Sequence, residues 1–346
     1  MAFMDEVKTA VTPRAALLVF GTLALQLLFI ASYVGALHHP EPTDVKVAVV
    51  APGGTADRAA AQLRRLPGGP LSPRVLPDEA AARRQLLDRD VDAALIVDPR
   101  GSTDTLLVAS GQGTAETSAL LNVFGQVEQQ QQRALRPVDV APASPRDADG
   151  LSSFYLVVGW CVGGYLCAAI LAVSAGARPA NRARALIRLA TTALYAIAGG
   201  LLGAVITGPV LDALPGSVWA LWGLGALTVF AVGAATLAFQ TLFGVVGIGV
   251  AILVVVIGGN PSAGGAFPLP LLPDFWRAIG PALPVGAATW TARSIAYFRG
   301  SAVTGPLLVL SAWALGGILV SMAAVGLRGG RRGAAEPPAP RHAAAP

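Results

Sequence analysis

From residue 213 to residue 273 the chain contains no Asp, Glu, Lys, Arg or His. A helix of a water-soluble domain keeps a polar face toward solvent, so a run of this length without a charge has no place in one. It holds two segments, 217–239 and 242–258, whose length and apolarity match about 30 Å of hydrocarbon. The chain is therefore expected to be an integral membrane protein.

Charged residues make up 13% of the 346-residue chain, against about 25% in ordinary soluble proteins. The deficit is local. Charge is missing from 15–40, 151–177, 189–211 and 300–327 as well as from the central run. The spacing predicts six transmembrane helices, at 15–37, 153–175, 185–211, 217–239, 242–258 and 303–326. The net charge of +5 is not a nucleic-acid signature, because no basic patch interleaved with aromatics is present. Segment 38–152 carries 12 Lys and Arg against 15 Asp and Glu, so the positive excess lies elsewhere. It sits in the N-terminal arm 1–14 (Lys8, Arg14), in the loop with Arg178, Arg182, Arg184 and Arg188, and in the tail 327–346 (Arg328, Arg331, Arg332). Basic residues beside apolar spans face the cytoplasm, and six crossings of a plasma membrane put all three there, with 38–152 outside. The tail reads as disordered.

Two other topologies compete with this one. Val34-Gly35-Ala36 resembles a cleavage site, but the preceding apolar stretch is longer than a signal peptide uses. A seventh span at 278–298 would bury Arg293 near the bilayer centre, at about 2.5–3.5 kcal/mol, and would put the basic tail outside.

Segment 38–152 reads as a small external α/β domain inserted between helices 1 and 2. Strands are expected at 45–50, 74–76, 93–97 and 105–109. Helices are expected at 55–66, 79–88 and 115–135, with Thr55 and Asp78 as caps, followed by a linker over 137–150. No catalytic triad, phosphate loop or metal cluster is evident, so no enzyme activity is expected. Gly111 and Gly113 read as a turn, His38-His39 as a membrane-interface pair, and residues 129–132 as an exposed run of glutamines. Cys161 and Cys167, within one span, read as packing residues.

The spans hold no ionisable group except Arg188 and Asp212 at their edges, which argues against a proton-driven carrier. The chain also lacks a Walker A loop, so no cofactor is expected in it and the energy for any transport must come from another chain. The four-arginine loop is the natural place for such a chain to dock, or an anchor at the lipid surface. Segment 260–302 is the other distinctive element. Its prolines (Pro261, Pro268, Pro270, Pro273, Pro281, Pro284) forbid one continuous span, yet Phe267, Phe275, Trp276 and Trp290 make it too apolar for a free loop. Short helices at 275–279 and 285–298 at the outer interface fit both facts. Irregular backbone at that depth must line a cavity or be covered by protein, so this hairpin is the candidate outer gate, with Asn260, Pro261, Ser262, Gly264, Gly265, Pro268, Pro273, Trp276, Pro284 and Arg293 as its residues.

The order of one span, an α/β domain, five further spans and an external hairpin before the last resembles the membrane subunits of ABC-2-type exporters, within them the phage-infection-protein-like branch. The likeness rests on Gly258-Gly259-Asn260-Pro261-Ser262-Ala263-Gly264-Gly265, Pro268, Leu272-Pro273, Phe275-Trp276, Leu283-Pro284, Arg293-Ser294-Ile295 and the strand Ala93-Ala94-Leu95-Ile96-Val97. The resemblance implies a permease paired with a second membrane subunit, ATP bound by a separate nucleotide-binding chain, amphipathic or lipid-like cargo moved outward, and a coupling role for the loop at 178–188. The competing expectation is a phage-receptor-like surface protein or envelope scaffold that displays segment 38–152.

Overall fold

The computed structural model describes residues 12–334; the expectations for residues 1–11 and 335–346 lie outside them. Helix α1 (Pro13–Leu37) starts where Thr12 Oγ1 accepts from the Ala15 N–H at 3.2 Å and Pro13 occupies the first turn. Its leucines and phenylalanines project all round and stay exposed, Leu17 at 72% and Phe20 at 69%, which is compatible with a helix in lipid.

An α/β unit follows: β1 (Val45–Val50), α2 (Thr55–Arg64), β2 (Leu71–Val75), α3 (Glu79–Leu87), β3 (Ala93–Ile96), β4 (Thr103–Val108), α4 (Thr114–Gln130) and β5 (Ala134–Asp139). The sheet order is β2-β1-β3-β4-β5, all pairs parallel except β3 with β4. Strand β5 falls where the sequence suggested a helix end and a linker. Helix α4 stops because Gln132 turns into left-handed backbone, φ 55°, and the chain then has an open sheet edge to pair with. Both edge strands contain a proline, Pro73 and Pro137, which only an edge tolerates. The glutamine run is exposed as expected, though only its first half is helical. Asp78 caps α3, accepting from the Ala81 N–H at 2.6 Å. Thr55 does not cap α2: Gly54 holds that position.

The two sheet faces are covered differently. On one, Val47, Val49, Leu95 and Leu106 pack under α2 and α4 through Leu63, Leu120 and Phe124. On the other, Ala48, Ala94 and Leu107 meet α3 through Leu86, and the rest of that face is closed by Phe298, which is 1% exposed. A residue from far along the chain thus completes this core. The far edge is held by Arg133, whose Nε and Nη2 grip Asp104 at 2.8 and 2.6 Å, while Asp104 is 2% exposed. Arg133→Met strands that carboxylate. Thermal unfolding of the full chain should report a loss on the order of 3–5 kcal/mol.

The remaining helices form a bundle: α5 (Ser152–Ala175), α6 (Arg182–Val205, running on as a π-helix through Ile206–Val210), α7 (Val218–Phe243), α8 (Val246–Ile252, continued by Leu253–Gly259 and Asn260–Ser262), α9 (Asp274–Ile279), α10 (Pro284–Tyr297) and α11 (Thr304–Ala334). Five helices are long and apolar enough to cross a membrane: Ala15–Leu37, Ser152–Ala175, Arg182–Val210, Val218–Phe243 and Thr304–Arg328. The expected fifth span is displaced by four residues at the same length. Helix α7 runs past residue 239 to Phe243, Gly244 breaks it at φ 66°, and the apolar helix Val246–Ser262 doubles back. Gly247 lets this hairpin close, since a Cβ there would strike the Phe239 carbonyl. Helix α11 continues to Ala334, so the first part of the expected disordered tail is helical.

Helix α7 is the central element, packed against α5, α6 and α11. Gly200 of α6 lies against the backbone of Gly225 and Ala226, and Gly317 of α11 against that of Ala234. Small residues let these backbones approach closely.

Candidate functional site

The residues expected to form a gate fold into a hairpin wedged between the α/β unit and the bundle. Prolines set its pieces: Pro273 precedes α9 and Pro284 opens α10, both without an N–H that would be wasted there. Ser262 Oγ donates to Gly258 O at 2.7 Å, ending the α8 segment, and the Asn260 amide donates to the Tyr33 hydroxyl of α1 at 2.9 Å. Trp313 of α11 donates to Ala282 O, tying the hairpin to that helix, and Trp290 donates to Ala302 O at the hairpin's end.

Arg293 organises the middle. It is 3% exposed; Nη1 donates to Gly264 O at 2.6 Å, and Nη2 to Gly265 O at 2.7 Å and Gly150 O at 3.3 Å. The arginine that would be costly in lipid instead satisfies three carbonyls of irregular backbone. Gly265 presses against Phe154, leaving no room for a side chain. Of the other expected gate residues, Pro261 is buried, while Pro273 is exposed and Trp276, edge-on to Phe275, stands apart from this centre.

The sequence did not reveal that the α/β unit reaches into the same place. Arg89 sits just past α3 in left-handed backbone, φ 63°, and is 7% exposed. Its Nη1 donates to Trp290 O at 2.9 Å and Ser294 Oγ at 2.7 Å, and its guanidinium lies 3.4 Å from the Trp290 ring centroid. In the string Asp88-Arg89-Asp90 this arginine looks like one member of a solvated charge run. Behind it Gln112 donates to Asp92 Oδ1 at 3.0 Å and to Glu116 Oε2 at 2.9 Å. Tyr297 donates to Asp147 at 3.1 Å, and Asp147 also caps the start of α5.

Around these groups lies a cavity of about 770 Å³, in the range of small-molecule sites. Gly264, Pro268 and Arg293 of the expected gate line it, together with Lys46, Arg89, Asp92 and Gln112 of the α/β unit and Gly305 and Pro306 of α11. Burial lowers the Arg89 guanidinium to about 9, with the nearby Arg293 adding to the effect, and lowers Arg293 to about 10. Both stay charged at neutral pH. Glu116 moves the other way: burial, then the Asp92 charge, lift it to about 8.

Its neutral form therefore belongs to the fold, whereas the unfolded chain ionises near 4.5. Stability from this group is complete below the lower value and is lost as pH rises toward the upper one. Between pH 5 and 8 the wild type should lose on the order of a few kcal/mol relative to Glu116→Gln, read from paired melting curves.

No family model, curated protein or solved structure matches the chain.

The four arginines expected to form a coupling loop divide into two pairs. Arg188 is 6% exposed and donates to Ala175 O and Gly176 O at 2.8 and 2.7 Å. Arg178 donates to Leu242 O at 3.2 Å, at the carbonyl end of α7, where a cation is favoured. Those two hold the loop to the bundle. Arg182 and Arg184 are exposed at the start of α6. His38 caps α1 through Val34 O at 2.8 Å, and its ring lies edge-on to that of His39, with centroids 6.3 Å apart. Among the described residues no group of three or more His, Cys, Asp or Glu side chains could hold a metal ion.

Proposed function

We propose that this chain is the membrane subunit of an exporter of the ABC-2 type, moving a hydrophobic or amphipathic compound outward while a separate subunit hydrolyses ATP. The observation that carries the reading is the cavity between the proline-rich hairpin and the α/β unit, set above a bundle whose spans offer no ion-carrying group. In this reading the bilayer holds six crossings, five long helices and the shorter Val246–Ser262. Arg178 and Arg328 donate to Leu242 O at the carbonyl end of α7, and Arg188 to Ala175 O at that of α5; basic residues there support a cytoplasmic face at that end and an external α/β unit. A second membrane subunit completes the path. A surface receptor would present its sheet freely, whereas here Phe298 and Arg89 clamp the unit to the hairpin, and that favours transport.

The exposed pair Arg182 and Arg184 is where a partner ATPase pushes. Exchanging both for glutamate should lower cargo-stimulated ATP hydrolysis and export by about tenfold or more, with the melting temperature unchanged because neither side chain is buried. Full export by the double variant in reconstituted vesicles would sink the coupling role.

A further inference from the structure

The cavity has an electrostatic imbalance. Arg89 and Arg293 are both buried, yet neither appears in an ion pair among the described residues; they are satisfied by carbonyls and a hydroxyl. The walls carry Lys46, Arg89, Arg277 and Arg293 against Asp44 and Asp92. Asp92 already accepts from the Lys46 N–H and the Gln112 amide, and Asp44 leans toward Arg277 at 3.9 Å. Asp92 acts on Arg89 and Asp147 on Arg293 only from beyond contact distance, and two buried cations without a direct ion pair are costly unless something anionic arrives.

Donors are also left over. Arg89 uses only Nη1, and its Nε is buried without a partner. The Thr289 hydroxyl, on a residue 1% exposed, has none either. Thr291, two residues on, donates to the carbonyl four residues back, as helical threonines do; Thr289 does not. Apart from Thr43, Gln112 and Thr304, the rest of the wall is largely apolar, with Ala263, Leu269, Pro281, Ala287 and Pro306. Cationic donors at one part of an apolar chamber match a molecule that carries an anionic group on a hydrocarbon chain.

We infer that the chamber between the hairpin and the α/β unit binds an amphipathic anion, its phosphate or carboxylate received by Arg89, Thr289 and Lys46 and its chain by the proline-lined wall. The inference names the class of cargo for the exporter proposed above and rests on that reading for its role, though not for its test.

The test is native mass spectrometry of the full chain in a non-ionic detergent, titrated with dodecyl phosphate, dodecanoate, dodecyltrimethylammonium and inorganic phosphate. One dodecyl phosphate or dodecanoate should be retained per chain, with the ammonium and the bare phosphate held at least about tenfold more weakly. Arg89→Gln should weaken binding about tenfold or more. Because that residue also holds the hairpin, Thr289→Val and Lys46→Ala decide: valine fills the space of the threonine without breaking any hydrogen bond, so a drop in affinity reads the site itself. Undiminished binding in both variants overturns the inference, as does a tail-bearing cation or bare phosphate that binds equally well. Phosphatidylglycerol distinguishes the sources of the anion. If it excludes dodecyl phosphate the occupant is a bilayer lipid; if dodecyl phosphate displaces it the occupant is a single-chain cargo. A chain that retains dodecyl phosphate but does not export it from vesicles keeps the site and loses the transport reading.

Discussion

Replacing Arg293 by alanine is expected to lower stability on the order of 3–5 kcal/mol and to release the loop around Gly264 and Gly265. Three carbonyls, from the buried residues Gly150, Gly264 and Gly265, lose their donor. Each buried unsatisfied group costs about 1–3 kcal/mol, and truncating a buried side chain of this size adds a cavity. Lysine would not restore it, since a single ammonium on a flexible stem cannot span carbonyls arranged for a planar fork. Hydrogen exchange over 260–270, compared between wild type, Arg293→Ala and Arg293→Lys, checks the mechanism. Fast exchange confined to that loop in both variants is the expected pattern, and unchanged protection would show that other contacts hold it.

The second large effect is expected at Gly280. A Cβ there would collide with the carbonyl of Ser262, and the carbonyl of Gly280 itself blocks a Cβ at Gly286. Both obstacles are backbone, so no rotamer relieves them, and Gly280→Val should exceed the usual 1–3 kcal/mol of core overpacking. The hairpin would have to lift off the end of α8, opening the chamber. The check is the yield of folded, monodisperse protein after detergent extraction, with Gly300→Val as the control: nothing lies near its Cβ, and its left-handed backbone, φ 80°, carries only a local strain.

Much of the architecture was legible in the sequence because lipid imposes simple demands. Apolar length located the long helices to within a few residues, since a bilayer fixes that length whatever the packing. Alternating β-branched residues located β1, and Asp78 marked its helix start through its own hydrogen bond. Proline spacing showed that residues 260–302 could not form a single span, which follows from chain geometry alone. The failures share one cause. Strand β5 and the full length of β2 exist because neighbouring strands were there to pair with, and edge positions excused their prolines. The break at Gly244 moved a helix end that hydropathy could not locate, because both sides of it are equally apolar.

The candidate site was half visible. Gly264, Pro268 and Arg293 could be chosen from the hairpin's own oddity, whereas Arg89, Gln112, Glu116 and Thr289 could not. Each of these has an ordinary local pattern, and its environment is made by a segment far away in the chain. The same holds for Arg188, which reads as a loop charge beside Arg182 and Arg184 but is buried against the carbonyl end of α5.

The order of charges and apolar residues, by itself, determined that the chain forms helices able to cross a membrane, an α/β unit and a proline-rich hairpin, because those properties depend on local propensity and on solvent. Only the tertiary structure decided that Phe298 seals a sheet formed some two hundred residues earlier, and that two guanidinium groups without a direct ion pair meet at the wall of one chamber. Burial and hydrogen bonding are settled between segments, and no local run of residues carries that information.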